Sequence, residues 1–257
     1  MSTENTGLTR SLCKAFEILG CFTAQTPELR VADITRRVDM TQSNVSRLLA
    51  TMVACGYLER VEETGCYRLG RQIITLSSVA LNHSELRKQA LPELFRLEQL
   101  YETGANLAVL DHDRMYYLAH VDSRTSPRMY TMVGHTNPLH CTAIGKILLA
   151  AMTDAEIEAV LDRTGLPSFT YHTVTDRAAL LEQISQARRL GYATEYNEHA
   201  LGSACIAAAI YDRSGSVVAG LSISGKFRGE PLKDHEAEAA AIVMDAAALI
   251  SNKLGAL

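Results

Sequence analysis

Apolar residues in the first sixty positions recur at helical spacing three times. Leu12, Phe16 and Leu19 stand at i, i+4 and i+7, which predicts a helix from Thr9 or Ser11 to about Thr23 with those three on one face. Val31, Ile34 and Val38 predict a short second helix over 31–38. Val45, Leu48, Leu49, Met52 and Val53 predict a third, opened by Thr41 as N-cap and stopped near Gly56. Only Asp39-Met40-Thr41 separates the second helix from the third, so the pair reads as a helix-turn-helix. The period then falls to two. Residues 57–61 and 66–69 flank Glu62-Glu63-Thr64-Gly65 as a hairpin, which makes the whole a winged helix.

Residues 72–101 look helical again, first as a connector and then with Leu91, Leu94, Leu97 and Tyr101 on one stripe and Pro92 in the first turn. Beyond them, strands 106–110 and 115–121 enclose the turn 111–114, and strands 205–211 and 217–224 enclose the turn 212–215. Thr153-Asp154-Ala155-Glu156 is a capping box, a helix over 175–190 ends at Gly191, and one over 232–254 closes the chain before Gly255. The expected class is α+β: a winged helix-turn-helix over 1–71, a linker helix over 72–90, and a domain over 91–257 with an antiparallel sheet and flanking helices.

Composition narrows the function. With 257 residues, 47% hydrophobic and 21% charged, the chain can bury one large core or two ordinary ones. Mean hydropathy is 0.00 and no apolar run approaches the roughly 18–20 residues of a membrane span, so no membrane partner is expected. Residues 1–10 lack the basic and apolar regions of a secretion signal, which points to the cytoplasm. The six cysteines form no C-x-x-C pair, so reduced thiols and no metal are expected. The net charge of −4 argues against a polyanion binder over the whole surface. It is unevenly spread: residues 1–80 hold nine Lys/Arg and eight Asp/Glu, the remainder sixteen and twenty-one. Any DNA contact is therefore assigned to the first part.

Three segments carry candidate chemistry. Thr41, Gln42, Ser43 and Asn44 open the third helix, with Ser46 and Arg47 in its next turn. At a major groove, amides pair with adenine edges and arginine with guanine or phosphate. Arg60 and Arg68 at the base of the hairpin are placed to meet phosphates, although Glu62 and Glu63 at its tip are not. The second segment, 134–146, runs from a Gly/Pro loop into a helix, where the backbone of Ala143 and Ile144 can hold a carboxylate. Alternatively, Cys141 or Thr142 merely caps a structural helix. In the third, Glu195, Cys205 and the same-face pair Ser222 and Ser224 suit a pocket for a small hydroxylated or keto acid. The bland alternative is a core cysteine and serines facing water. Catalysis by Cys205 or Cys141 with His140 or His199 lacks a third orienting group, so neither an enzyme nor a cofactor is expected.

Four motifs in order carry a resemblance. Residues 46–52 (SRLLATM) with Gly56-Tyr57-Leu58, Tyr67-Arg68-Leu69-Gly70, the Gly134, Pro138, Gly145-Lys146, Leu149-Ala150 pattern, and Gly202 with Cys205-Ile206-Ala207 resemble the IclR family of bacterial transcriptional regulators over about 8–254. The resemblance implies a dimerising linker helix, a GAF-like C-terminal domain that binds a small organic acid, and homodimers or dimers of dimers that mostly repress catabolic operons. It places effector contacts on Ala143, Ile144, Glu195, Cys205, Ser222 and Ser224. The acidic position is commonly Asp in the family, and Glu195 is one methylene longer. Arg128-Met129-Tyr130 and Asn137-Pro138-Leu139 look most like the branch that senses sugar acids. The rival expectation is a ligand- or redox-sensing module acting through protein contacts, with Cys205 or Cys141 as the responsive thiol.

Overall fold

The computed structural model describes residues 8–124 and 133–256. The chain divides into two units, Met1–Leu81 and Asn82–Leu257. In the first, α1 (Arg10–Leu19), α2 (Val31–Arg37) and α3 (Gln42–Ala54) pack with a small sheet of β1 (Glu28–Leu29), β2 (Leu58–Arg60) and β3 (Tyr67–Leu69). Ile18, Leu29, Ile34, Val45, Leu49, Met52 and Leu58 form its core. The hairpin β2–β3 is the wing. Its third strand, β1, pairs with β3 through Glu28↔Arg68 and Leu29↔Tyr67, and at two residues it is too short to leave a period in the sequence.

The first helix corrects the sequence reading. It ends at Leu19, not near Thr23, and Leu12 and Phe16 are 54% and 61% exposed. A second apolar stripe on the same helix, Ala15, Ile18 and Leu19 continued by Phe22, is the one that packs into the core. Two stripes competed, and the one carrying β-branched Ile18 faces α2 and α3.

After the wing come α4 (Arg71–His83) and α5 (Glu85–Tyr101). The second begins earlier than expected, because Ser84 accepts the N–H of Arg87 at 3.3 Å and caps it. Pro92 therefore sits inside the helix and not in its first turn, where its ring removes one i→i−4 hydrogen bond. No residue of α4 is buried, and Ile74, Leu76 and Val79 are exposed.

The second unit is built on a six-stranded antiparallel sheet. Its strands are β4 (Gly104–Asp111), β5 (Arg114–Val121), β6 (Thr136–Pro138), β7 (Tyr192–Tyr196), β8 (Ala204–Tyr211) and β9 (Val217–Ser224), in the order β6-β5-β4-β9-β8-β7. Two short strands, β10 (Lys226–Phe227) and β11 (Glu230–Pro231), pair separately. One face is covered by α5 and by α9 (Glu236–Lys253), through Leu94, Leu97, Ile206, Ile210, Leu221 and Val243. The other is covered by α6 (Ala143–Ala150), α7 (Asp154–Thr164) and α8 (Arg177–Leu190), through Ile147, Leu149, Ile157, Leu180 and Ile184. A sheet covered on both sides explains why β8, ACIAAAIY, is apolar almost throughout instead of alternating. The capping box at Thr153 and Glu156 forms. Residues 232–235 make a 3-10 turn ahead of the last helix, which therefore starts at Glu236 and not Leu232.

Candidate nucleic-acid interface and ligand cavity

The helix-turn-helix presents Thr41, Gln42, Ser43, Asn44, Ser46 and Arg47 as a continuous exposed face, because Val45, Leu49 and Met52 hold the opposite side of α3 in the core. Thr41 occupies the N-cap position, yet its hydroxyl meets Ser43 Oγ at 3.2 Å and caps no backbone N–H. Arg47 donates to Asn44 Oδ1 at 3.2 Å, so two of the side chains singled out for base contact brace each other. Arg10 and Lys14 of α1 line a groove of about 780 Å³ with Asn44 and Arg47. The sequence reading missed these two cations, whose signal was their i, i+4 spacing on the polar side of α1. Arg68 is a different case. Its guanidinium donates twice to Glu59 Oε2, at 3.1 and 3.0 Å, and lies 3.8 Å from Glu28, so much of its charge is met within its own sheet.

In the second unit, all six residues singled out for a ligand surround one cavity of about 300 Å³ between the sheet and the start of α6. Strand register explains the convergence: Ser222 stands opposite Asn106, Ser224 opposite Cys205, and Cys205 opposite Glu195. Both serines are buried, so they do not face water. Gly104 makes room beside them, since a Cβ there would lie 2.8 Å from Ser224 Oγ and displace that hydroxyl. At the helix end, Thr142 accepts the N–H of Gly145 at 3.2 Å and donates to Pro138 O at 2.7 Å. That cap leaves the N–H groups of Ala143 and Ile144, which have no carbonyl four residues earlier in the helix, at the cavity wall. Gly145 permits the tight approach, because a Cβ would fall 2.2 Å from Leu139 O.

The structure adds lining residues that sequence reasoning did not single out as contacts: Asn106, Tyr117, His135, Asn137, His199 and Ser203. They sit on strands and turns whose chemistry emerges only when the sheet is assembled. Asn106 donates to Ser222 Oγ at 3.2 Å and Ser224 Oγ at 3.3 Å. Asn137 donates to Tyr117 Oη at 3.3 Å, and burial holds that phenol protonated far above its ordinary range, leaving its O–H as a donor. Arg128-Met129-Tyr130 lie outside the described residues.

Glu195 lines the cavity and also anchors its wall. One carboxylate oxygen accepts from Glu198 N at 2.6 Å, His199 N at 3.3 Å and Ser203 Oγ at 2.6 Å, and Cys205 adds a thiol contact. The carboxylate thus anchors the 198–203 turn that walls the cavity. Behind it, buried Lys146 donates to Glu198 Oε1 at 2.5 Å and to Thr194 O at 3.2 Å.

The cysteines are unlike reactive thiols. Burial, then the nearby Glu198 and Glu195 carboxylates, pushes Cys141 up to about 12; burial and Glu195 raise Cys205 well above the ordinary thiol range. His140 Nε2 meets Pro167 O at 3.1 Å, and among the described residues no hydrogen bond joins either cysteine to His140 or His199. These two thiols therefore fit a responsive redox centre poorly.

Comparisons with known proteins agree across the chain. The family described as the IclR helix-turn-helix domain matches residues 5–62, and the one described as Bacterial transcriptional regulator IclR C-terminal matches residues 78–252. The HTH-type transcriptional regulator KdgR of Escherichia coli is 34% identical over 95% of this chain and 92% of its own length. The HTH-type transcriptional repressor AllR of the same species is 32% identical over 88% of this chain and 83% of its own. Among solved structures, an IclR homolog of Microbacterium hydrocarbonoxydans, complexed with 4-hydroxybenzoate, is 29% identical with a TM-score of 0.82, covering 95% of this chain and 98% of its own.

Proposed function

Since the chain belongs to the IclR family of transcriptional regulators, we propose that it represses a catabolic operon and releases it when a small organic acid occupies the cavity of the second unit. The observation that carries the reading is the meeting of Ala143, Ile144, Cys205, Ser222 and Ser224, from one helix start and two strands, around a single space. At about 300 Å³ that space lies at the small end of the ~300–1,000 Å³ typical of ligand sites, which suits a compact acid. A carboxylate meets the N–H groups at the start of α6; the serines meet the far oxygens; Glu195 shapes the wall. The family relative complexed with 4-hydroxybenzoate supports a small organic acid as the ligand. A sugar-like acid is a second candidate of suitable size.

Operator contact falls to Thr41, Gln42, Ser43, Asn44, Ser46 and Arg47, joined by Arg10 and Lys14 at the phosphates. The exposed apolar residues Ile74, Leu76 and Val79 of α4 are the proposed seam of a homodimer, which would present two winged helices to a two-fold operator. A ligand acts only if it favours one arrangement of the paired winged helices over another.

The test uses the full chain. Pyruvate, succinate, D-gluconate and 4-hydroxybenzoate are screened by thermal shift, because a ligand of the folded state alone raises its Tm. The double variant Ser222→Ala with Ser224→Ala is expected to keep wild-type operator affinity and lose release by the acid that binds. Wild-type release in that variant removes the cavity from the mechanism.

A further inference from the structure

Asn106 decides what the sheet wall of the cavity offers. Its Nδ2 donates to both serine oxygens, at 3.2 and 3.3 Å. A hydroxyl that accepts from an amide keeps its own proton free to donate elsewhere. Ser222 and Ser224 line the cavity, so their O–H groups are available there. An amide could present its carbonyl to the serines instead, which would turn both protons away from the space. The partner behind Asn106 prevents this. His120 stands opposite it on β5, and its Nδ1 lies 2.8 Å from Asn106 Oδ1. The other nitrogen, Nε2, lies 2.8 Å from Asp122 Oδ1, so each ring nitrogen faces an oxygen. His120 is nearly buried, Asn106 is 4% exposed, and Asp122 opens to solvent.

We infer that Asn106, oriented by His120 and Asp122, is a specificity-determining residue that fixes Ser222 and Ser224 as donors, so that the ligand meets the sheet with a proton-free oxygen, carboxylate or carbonyl. Both walls of the cavity then donate: the serines and Tyr117 from the sheet, the amides of Ala143 and Ile144 from α6. Against these donors stands one carboxylate, Glu195, and its Oε1 already takes three donors of its own turn. The ligand is accordingly acceptor-rich at both ends, a dicarboxylate or oxo acid in preference to a polyol. The inference rests on the cavity being the effector site.

Three variants test it, with affinity measured by calorimetry for whichever of pyruvate, succinate, D-gluconate and 4-hydroxybenzoate binds the wild type best. Asn106→Asp presents only acceptors to the serines, draws their protons away, and is expected to weaken the acid at least ~100-fold. His120→Leu frees the amide to turn and is expected to weaken it ~10-fold, whereas His120→Asn, whose Nδ2 overlays the imidazole Nδ1, stays within ~3-fold of wild type. All three retain wild-type operator affinity. A merely structural role for His120 would make the Leu and Asn variants equally weak, and that result overturns the inference. So does an acid that binds all three variants as it binds the wild type, although the cavity reading survives it. If none of the four acids binds the wild-type chain, the cavity reading falls and takes this inference with it.

Discussion

The recognition face and the cavity are built by opposite means. Six of the seven positions 41–47 at one helix start, all but buried Val45, form the first, and these exposed side chains answer to almost nothing else in the protein. The cavity draws on residues from Asn106 to Ser224, on strands that are neighbours only through sheet register, and each polar group there is fixed by another: Ser224 by Asn106, Asn106 by His120, Glu195 by the turn it anchors. A surface that meets a polyanion can be specified locally. A buried site must satisfy every donor and acceptor within the protein before it can offer any to a ligand.

That contrast predicts where damage is greatest. Lys146 and Glu198 are both buried behind the cavity, and Glu198 Oε2 has no hydrogen-bond partner among the described residues. Lys146→Met would strand a carboxylate already short of partners, with an expected loss of about 3–5 kcal/mol measured by denaturant unfolding. Burial holds Glu198 above the usual carboxylate range, with Lys146 opposing the shift. A raised acid pKa means that the folded state binds the proton more readily, so its stabilising contribution fades as pH rises. The variant is therefore expected to recover part of its stability on acidification, and adding Glu198→Gln should restore most of it at neutral pH. A loss below about 1 kcal/mol would show that the interior tolerates a bare charge, and the contrast with the exposed face would collapse.

The same contrast explains what the sequence made legible. The helix-turn-helix, the wing hairpin and both long hairpins of the second unit announce themselves in local periodicity. Ala143, Cys205, Ser222 and Ser224 were legible because a helix start and strand alternation are local facts. Asn106 and His120 were not, because a buried polar row across β5, β4 and β9 exists only once register is set. Pro92 and the face of α1 misled for a related reason: each had two locally acceptable placements, and the Ser84 cap and the packing of Ile18 chose between them.

On the exposed face the expected effects are smaller and confined to DNA. Arg47→Ala removes one cation and its brace to Asn44, and should weaken operator binding by about 1–3 kcal/mol. If Arg47 meets phosphate, the slope of log affinity against log salt should also fall by about one contact. Folding stability and acid binding should stay within about 0.5 kcal/mol of wild type, as for other surface substitutions. Arg68→Ala should matter less, since Glu59 already takes that guanidinium. Equal losses for the two arginines in gel-shift titrations would make the wing, not α3, the principal contact.

The smallest expected effect separates the units by thiol chemistry. Cys55, at the end of α3, is exposed, whereas Cys141 is buried and Cys205 lies beside the Glu195 carboxylate at the cavity. Only the thiolate attacks iodoacetamide, and a thiol pushed up to about 12 is ionised to roughly 0.1% or less even at pH 8.5. Brief alkylation of the native chain should therefore mark Cys55 by mass spectrometry and leave Cys141 and Cys205 intact until denaturant is added. Acid binding should survive the treatment unchanged. Rapid labelling of Cys205 in the native protein, with loss of the acid response, would instead make the cavity cysteine a sensor in its own right, and the buried site would share the openness of the DNA face.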